Sequence, residues 1–142
     1  MEERVEEAAQ GGDINALYAT LRHDPNVLEA IDKIPFKHTP LHVAASAGHT
    51  LFALELLRLK PSFGRKLNPD GFSPLDLALQ NRRMETARRL ANNQPELIRI
   101  QGREGESPLH HVARTGDDDL LAEFLLSCPG SIEDLTIRGE TA

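Results

Sequence analysis

A chain of 142 residues has the length of one domain, and 39% hydrophobic with 27% charged residues excludes a disordered or fibrous composition. The formal net charge of -6 opposes phosphate backbones and anionic lipid surfaces, so nucleic acid and membrane surfaces are not expected partners without a local basic patch. A lone cysteine, Cys128, excludes an internal disulfide and fits a reducing compartment, and 4% aromatic residues with no Trp deprive a single compact core of its usual large fillers.

The N-terminus, Met1 to Glu7, is acidic and has no apolar run of the secretory kind, and no stretch approaches the length of a membrane span. These features predict a cytoplasmic stretch without membrane contact of its own. Its first element carries Val5, Ala8, Ala9 and Gly12. The same order returns 36 residues on as Leu41, Ala44, Ala45 and Gly48. A polar, charged opening in place of Thr-Pro is what a capping unit of a repeat array needs on its outer face.

The second unit opens at Thr39-Pro40-Leu41-His42-Val43-Ala44-Ala45, the third at Ser73-Pro74-Leu75-Asp76-Leu77-Ala78-Leu79, and the fourth at Ser107-Pro108-Leu109-His110-His111-Val112-Ala113. Successive prolines here lie 34 residues apart. A second series, Pro25, Pro61, Pro95 and Pro129, steps by 36, 34 and 34. Two independent markers keep one period.

Each unit reads as helix, turn, helix and loop. A hydroxyl residue before Pro starts a helix, because the side chain caps free N–H groups and Pro suits the first turn. Ala-rich first helices allow close approach of neighbours. Gly12, Gly48 and Gly116 stand where a left-handed residue ends them. The second helices carry Phe52, Leu56, Leu57 and later Leu120, Phe124, Leu125 at helical spacing, and a proline stops each. Asn68-Pro69-Asp70-Gly71 and Gly102-Arg103-Glu104-Gly105 have turn chemistry and are predicted hairpin fingers.

The predicted fold is therefore all-α, a solenoid of helix-turn-helix units with finger loops. The units cover about 2–36, 37–70, 71–104 and 105–138. Gly139-Glu140-Thr141-Ala142 falls 34 residues after Gly105-Glu106-Ser107-Pro108 and reads as the start of a fifth unit cut short. An uncovered apolar end there carries a risk of end-to-end self-association.

The run Thr39 to His49, Thr-Pro-Leu-His-x-Ala-Ala-x-x-Gly-His, resembles the ankyrin consensus. The third unit departs from it, with Asp76 where His is usual and Arg82 in place of the turn glycine. Residues 41–50, 60–63, 67–74 and 120–129 are also similar to plant ankyrin proteins of the Bian-da type. That resemblance implies a larger protein with C-terminal transmembrane helices and a role in immune signalling. The present chain would be its N-terminal, cytosolic-face part.

The residues with reactive side chains do not assemble into catalytic patterns. In the ankyrin frame, His42 and His110 brace neighbouring loops together with the Ser or Thr hydroxyl. His110 and His111 are adjacent and project about 100° apart on a helix, which does not favour a zinc site. Cys128 lies at a helix end, with no sequence cue for an oriented base or an oxyanion hole. No phosphate loop or nucleophile elbow occurs. No enzyme activity and no cofactor are expected. Arg82, Arg83, Arg88 and Arg89 form the one basic cluster, and the repeat alignment suggests that Arg83 pairs forward with Asp117.

The function class that fits is a protein-binding adaptor, and the competing class is a structural or oligomerisation element without its own ligand. Contacts of the family lie on finger tips and on the exposed side of the first helices. Here these positions are Phe36 and His38, Asp70 and Phe72, and Arg103 and Glu104 on the fingers. Ser46, then Gln80 and Asn81, then Arg114 and Thr115 occupy the helices. Phe36 and Phe72 either serve as exposed aromatic anchors or fold against the adjacent finger.

Overall fold

The computed structural model describes residues 2–137, so the expected opening of a further unit at 139–142 lies outside the described residues. Ten α-helices follow one another, with no strand among the described residues. They are α1 (Glu2–Gly11), α2 (Ile14–His23), α3 (Val27–Asp32), α4 (Pro40–Ala47), α5 (Thr50–Leu59), α6 (Pro74–Gln80), α7 (Met84–Asn93), α8 (Pro108–Thr115), α9 (Asp118–Ser127) and α10 (Ile132–Ile137).

The sequence signals act locally where the chain bends. Thr39, Ser73 and Ser107 hold extended backbone and accept the N–H three residues on, starting α4, α6 and α8 with Pro at the first position. Gly48 and Gly116 close α4 and α8 in the left-handed region, at φ 80° and 77°. Arg82 takes the same role after α6 at φ 57°, a conformation that costs a residue with a Cβ about 1 kcal/mol. Lys60, Gln94 and Cys128 swing out of the helix just before Pro61, Pro95 and Pro129, because a residue preceding proline is pushed away from helical geometry.

The packing runs along one dimension. First helices stack in the order α1, α4, α6, α8, and second helices in the order α5, α7, α9, each pair bridged at its turn. Repeat-equivalent residues fill the seam: Val5, Leu41, Leu75 and Leu109 are all fully buried. Ala8, Ala9, Ala44, Ala45 and Ala78 keep the first helices close, while Phe52, Phe63, Leu90 and Phe124 supply bulk beneath the second helices.

Polar ties keep successive units in step on the outer side. Lys60 reaches Glu29 at 2.7 Å, Arg88 reaches Glu123 at 2.8 Å, and Arg99 reaches Asp134 at 2.9 Å. Exposed pairs of this kind contribute about 0–1 kcal/mol each, so they set register more than stability. The basic cluster is accordingly spent on the fold in part. Arg83 departs from its expected forward pairing with Asp117. Its Nε donates backward to the Ser46 carbonyl at 3.1 Å, while Asp117 caps α9 by accepting from the Leu120 N–H.

The second and third fingers approach through their backbones: the Arg103 N–H donates to the Gly71 carbonyl at 3.0 Å. A Cβ built on Gly102 would stand 2.4 Å from that same carbonyl oxygen. Gly102→Ala is therefore expected to part the two fingers and to cost about 1–3 kcal/mol in a urea titration. An unchanged midpoint would show that the fingers separate freely.

Candidate functional site

The fingers are tied to the first helices by side chains buried beneath them. His42 accepts the Thr39 N–H on Nδ1 at 3.0 Å and donates from Nε2 to the Phe72 carbonyl at 2.9 Å, which spans the stack to the next finger. Burial holds this imidazole neutral and lowers its pKa to about 4. Asn68 shapes that next finger, its Oδ1 accepting both the Asp70 and Phe72 N–H groups at 3.0 Å.

Asp76 stands where His42 would fall one unit on. Its carboxylate repeats the local half of the arrangement by accepting the Ser73 N–H at 2.9 Å. An ionised carboxylate has no proton to donate across to the following finger. Burial pushes its pKa up to about 6, with the Glu106 carboxylate adding to the rise against the Ser73 hydrogen bonds. Above it lies a recess of about 70 Å³ bounded by Phe72, Gln80, Arg103, His111 and Arg114. The structure thus brings together four residues expected from the sequence, Phe72, Gln80, Arg103 and Arg114. Arg114 is held there by an ion pair with Glu106.

The other expected residues occupy the same side without joining that recess. Phe36 is 64% exposed, on a backbone with φ 52° that turns its ring outward. Phe72 is half-buried, so the two rings adopt different answers to the same alternative. His38 lies over His42, with ring centroids 5.2 Å apart, and burial lowers its pKa. Asn81 donates to the Ser46 hydroxyl at 3.1 Å, linking the first helices of adjacent units. Asp70 and Glu104 are exposed on fingers, Glu104 at φ 60°. Thr115 is exposed near the end of α8 and donates to the Val112 carbonyl.

Two contributors lie outside the expected set. His111 is half-buried between α6 and α8, and burial followed by the nearby Arg114 charge lowers its pKa. The signal was present in the repeat: His111 aligns with Val43 and Leu77, so an imidazole replaces an apolar side chain. Asp76 is the second, and its alignment with His42 and His110 marks it directly. Among the described residues no three His, Cys, Asp or Glu side chains are grouped to hold a metal ion. None of the described helices is long and apolar enough to cross a membrane.

Comparison with known proteins places this geometry. Residues 5–101, more than half of the chain, match the family Ankyrin repeats (3 copies). The chain belongs to the ankyrin-repeat family. This ankyrin chain is also 48% identical over 73 residues to Ankyrin repeat-containing protein BDA1 of Arabidopsis thaliana. That stretch is 51% of the present chain and 17% of the relative. Ankyrin repeats as a family are protein–protein interaction scaffolds and typically not enzymes.

Proposed function

We propose that the chain is an adaptor that captures a protein on the side formed by its fingers and first helices. One observation carries the reading: Phe72, Gln80, Arg103 and Arg114, from two fingers and two helices, converge on one recess. Aromatic and arginine side chains dominate the energetics of protein interfaces, and the outward ring of Phe36 extends the surface along the stack. Similarity to the plant ankyrin group supports a finer version, in which this chain is the cytosolic arm of a membrane-anchored immune-signalling protein.

The test is a triple variant, Phe36→Ala with Phe72→Ala and Arg114→Ala, compared with the parent in affinity capture from plant extract. Loss of the captured protein at least tenfold, with the helical circular dichroism retained, is the expected result. Undiminished capture would move the contact surface elsewhere.

A second reading is end-to-end association of the stack, favoured by Leu126 at 82% and Ile132 at 53% exposure near the last described turn. Light scattering over a concentration series separates the two, since association predicts a rising mass that Leu126→Glu reverses.

A further inference from the structure

Among the described residues, two of the three junctions between units carry a latch at the turn end of the first helices. At the first, His49 lies against Gly12, where a Cβ would meet its ring at 2.8 Å, and Nε2 donates to the Gln10 carbonyl at 2.9 Å. At the second, the Arg83 stem lies against Gly48 at the same 2.8 Å, and Nε donates to the Ser46 carbonyl at 3.1 Å. Gln10 and Ser46 are repeat equivalents, as are Gly12 and Gly48, and His49 and Arg83. The latch is one device used twice: a turn glycine, a donor side chain lying over it, and a carbonyl that the donor reaches.

The third junction lacks both movable parts. Arg82 stands in the glycine position at φ 57°, and Asp117 stands in the donor position. Asp117 has a short acceptor side chain, already turned to the Leu120 N–H at 3.0 Å. A cleft of about 320 Å³ opens where the latch would lie, with Leu79, Met84 and Val112 as its apolar wall and Gln80, Arg82, His111 and Asp117 among its polar lining. Of the two departures of the third unit, Arg82 lines this cleft and Asp76 lines the finger-end recess. Gln80 and His111 border the finger-end recess and the turn-end cleft alike.

We propose that this turn-end cleft receives an arginine side chain of the bound protein, which takes the place that Arg83 takes one junction earlier. The proposal rests on the protein-binding reading above. The apolar wall suits the aliphatic stem of an arginine, and the Gln80 carbonyl, equivalent to that of Ser46, offers the acceptor. Asp117 offers a carboxylate where His49 and Arg83 bring donors, with Asp118 and Asp119 following it in sequence. At the donor position the polarity is thus inverted from donor to acceptor, so that Asp117 suits a cationic donor from outside the chain. Arg82 sets the limit on the ligand. Its positive charge at the border disfavours a run of cations and favours one arginine flanked by neutral or acidic residues.

The test uses the full chain, with amide NMR titration by the capped pentapeptide acetyl-Ala-Ala-Arg-Ala-Ala-amide and its citrulline counterpart, equal in shape and neutral. Saturable shifts confined to Leu79, Gln80, His111 and Leu120, at least fivefold weaker with citrulline, are expected. The double variant Arg82→Gly with Asp117→Arg restores the latch and is expected to abolish them. Equal shifts with both peptides, shifts elsewhere, or persistence in the double variant would each overturn the assignment. Capture from extract separates this from failure of the wider reading. Capture retained by the latch-restored variant and lost in the Phe36, Phe72 and Arg114 triple variant removes the arginine alone. Capture retained in both removes the surface as a whole.

Discussion

Asp76→Asn is expected to be more stable than the parent at pH 7 by about 3 kcal/mol and indistinguishable from it near pH 3. The Asp76 carboxyl is raised by burial from 3.8 to about 6. A raised acid contributes stability that is complete below pH 3.8 and is lost as pH climbs through 6. About two pH units of displacement correspond to about 3 kcal/mol at 1.36 kcal/mol per unit. Asparagine keeps an oxygen for the Ser73 N–H without the buried charge. The advantage should therefore grow between pH 4 and 6 and then stay level. Urea midpoints at pH 3.5, 5 and 7 measure it, and an advantage of the same size at all three would assign the effect to something other than ionisation.

The same titration exposes His42. Its pKa falls from 6.5 to about 4 on burial, so its neutral form contributes stability that is complete above pH 6.5 and lost as pH falls through 4. The two buried groups act in opposite senses over nearly the same interval, each by about 3 kcal/mol. In the parent chain their contributions offset. Removing the Asp76 charge unmasks the acid lability of His42.

His42→Ala carries the second large effect, a loss of about 3–4 kcal/mol at pH 7. The substitution leaves the buried Thr39 N–H without its ring acceptor, withdraws the donor from the Phe72 carbonyl, and empties a fully buried ring volume. The damage should be directional. Amide exchange ought to accelerate in the finger from Asn68 to Phe72 and leave Leu17 in α2 protected. Uniform acceleration over the chain would refute the bridging role of the imidazole.

The sequence made the helices legible because their signals are local. Ser or Thr before Pro, a glycine at the turn, and a proline at the exit each act within four residues, and the 34-residue phase then aligns every seam position. Side-chain direction across a junction was less legible. Whether Arg83 turns toward Ser46 or toward Asp117 depends on how one unit is set against the next, which no local signal encodes. Phe36 posed the same difficulty, since its loop is two residues longer than its counterparts, although Glu104, its equivalent two units on, shares its positive φ. The recess itself could be assembled from alignment, as Phe72, Gln80, Arg103 and Arg114 show. His111 escaped because two adjacent histidines raise the question of a zinc site first, although its place in the apolar column distinguishes it.

Stacking in which α6 packs chiefly on α4, α7 and α8 has a consequence for how such a molecule tolerates substitution. Contacts close over one repeat length, so chain entropy is repaid step by step and the topology favours rapid assembly. A substitution between α6 and α8 is answered by its immediate neighbours only. The third unit carries aspartate where its neighbours carry histidine and arginine where they carry glycine, while the seam through Leu41, Leu75 and Leu109 stays closed. Recognition chemistry is thereby modular: one joint can be rewritten without renegotiating the others.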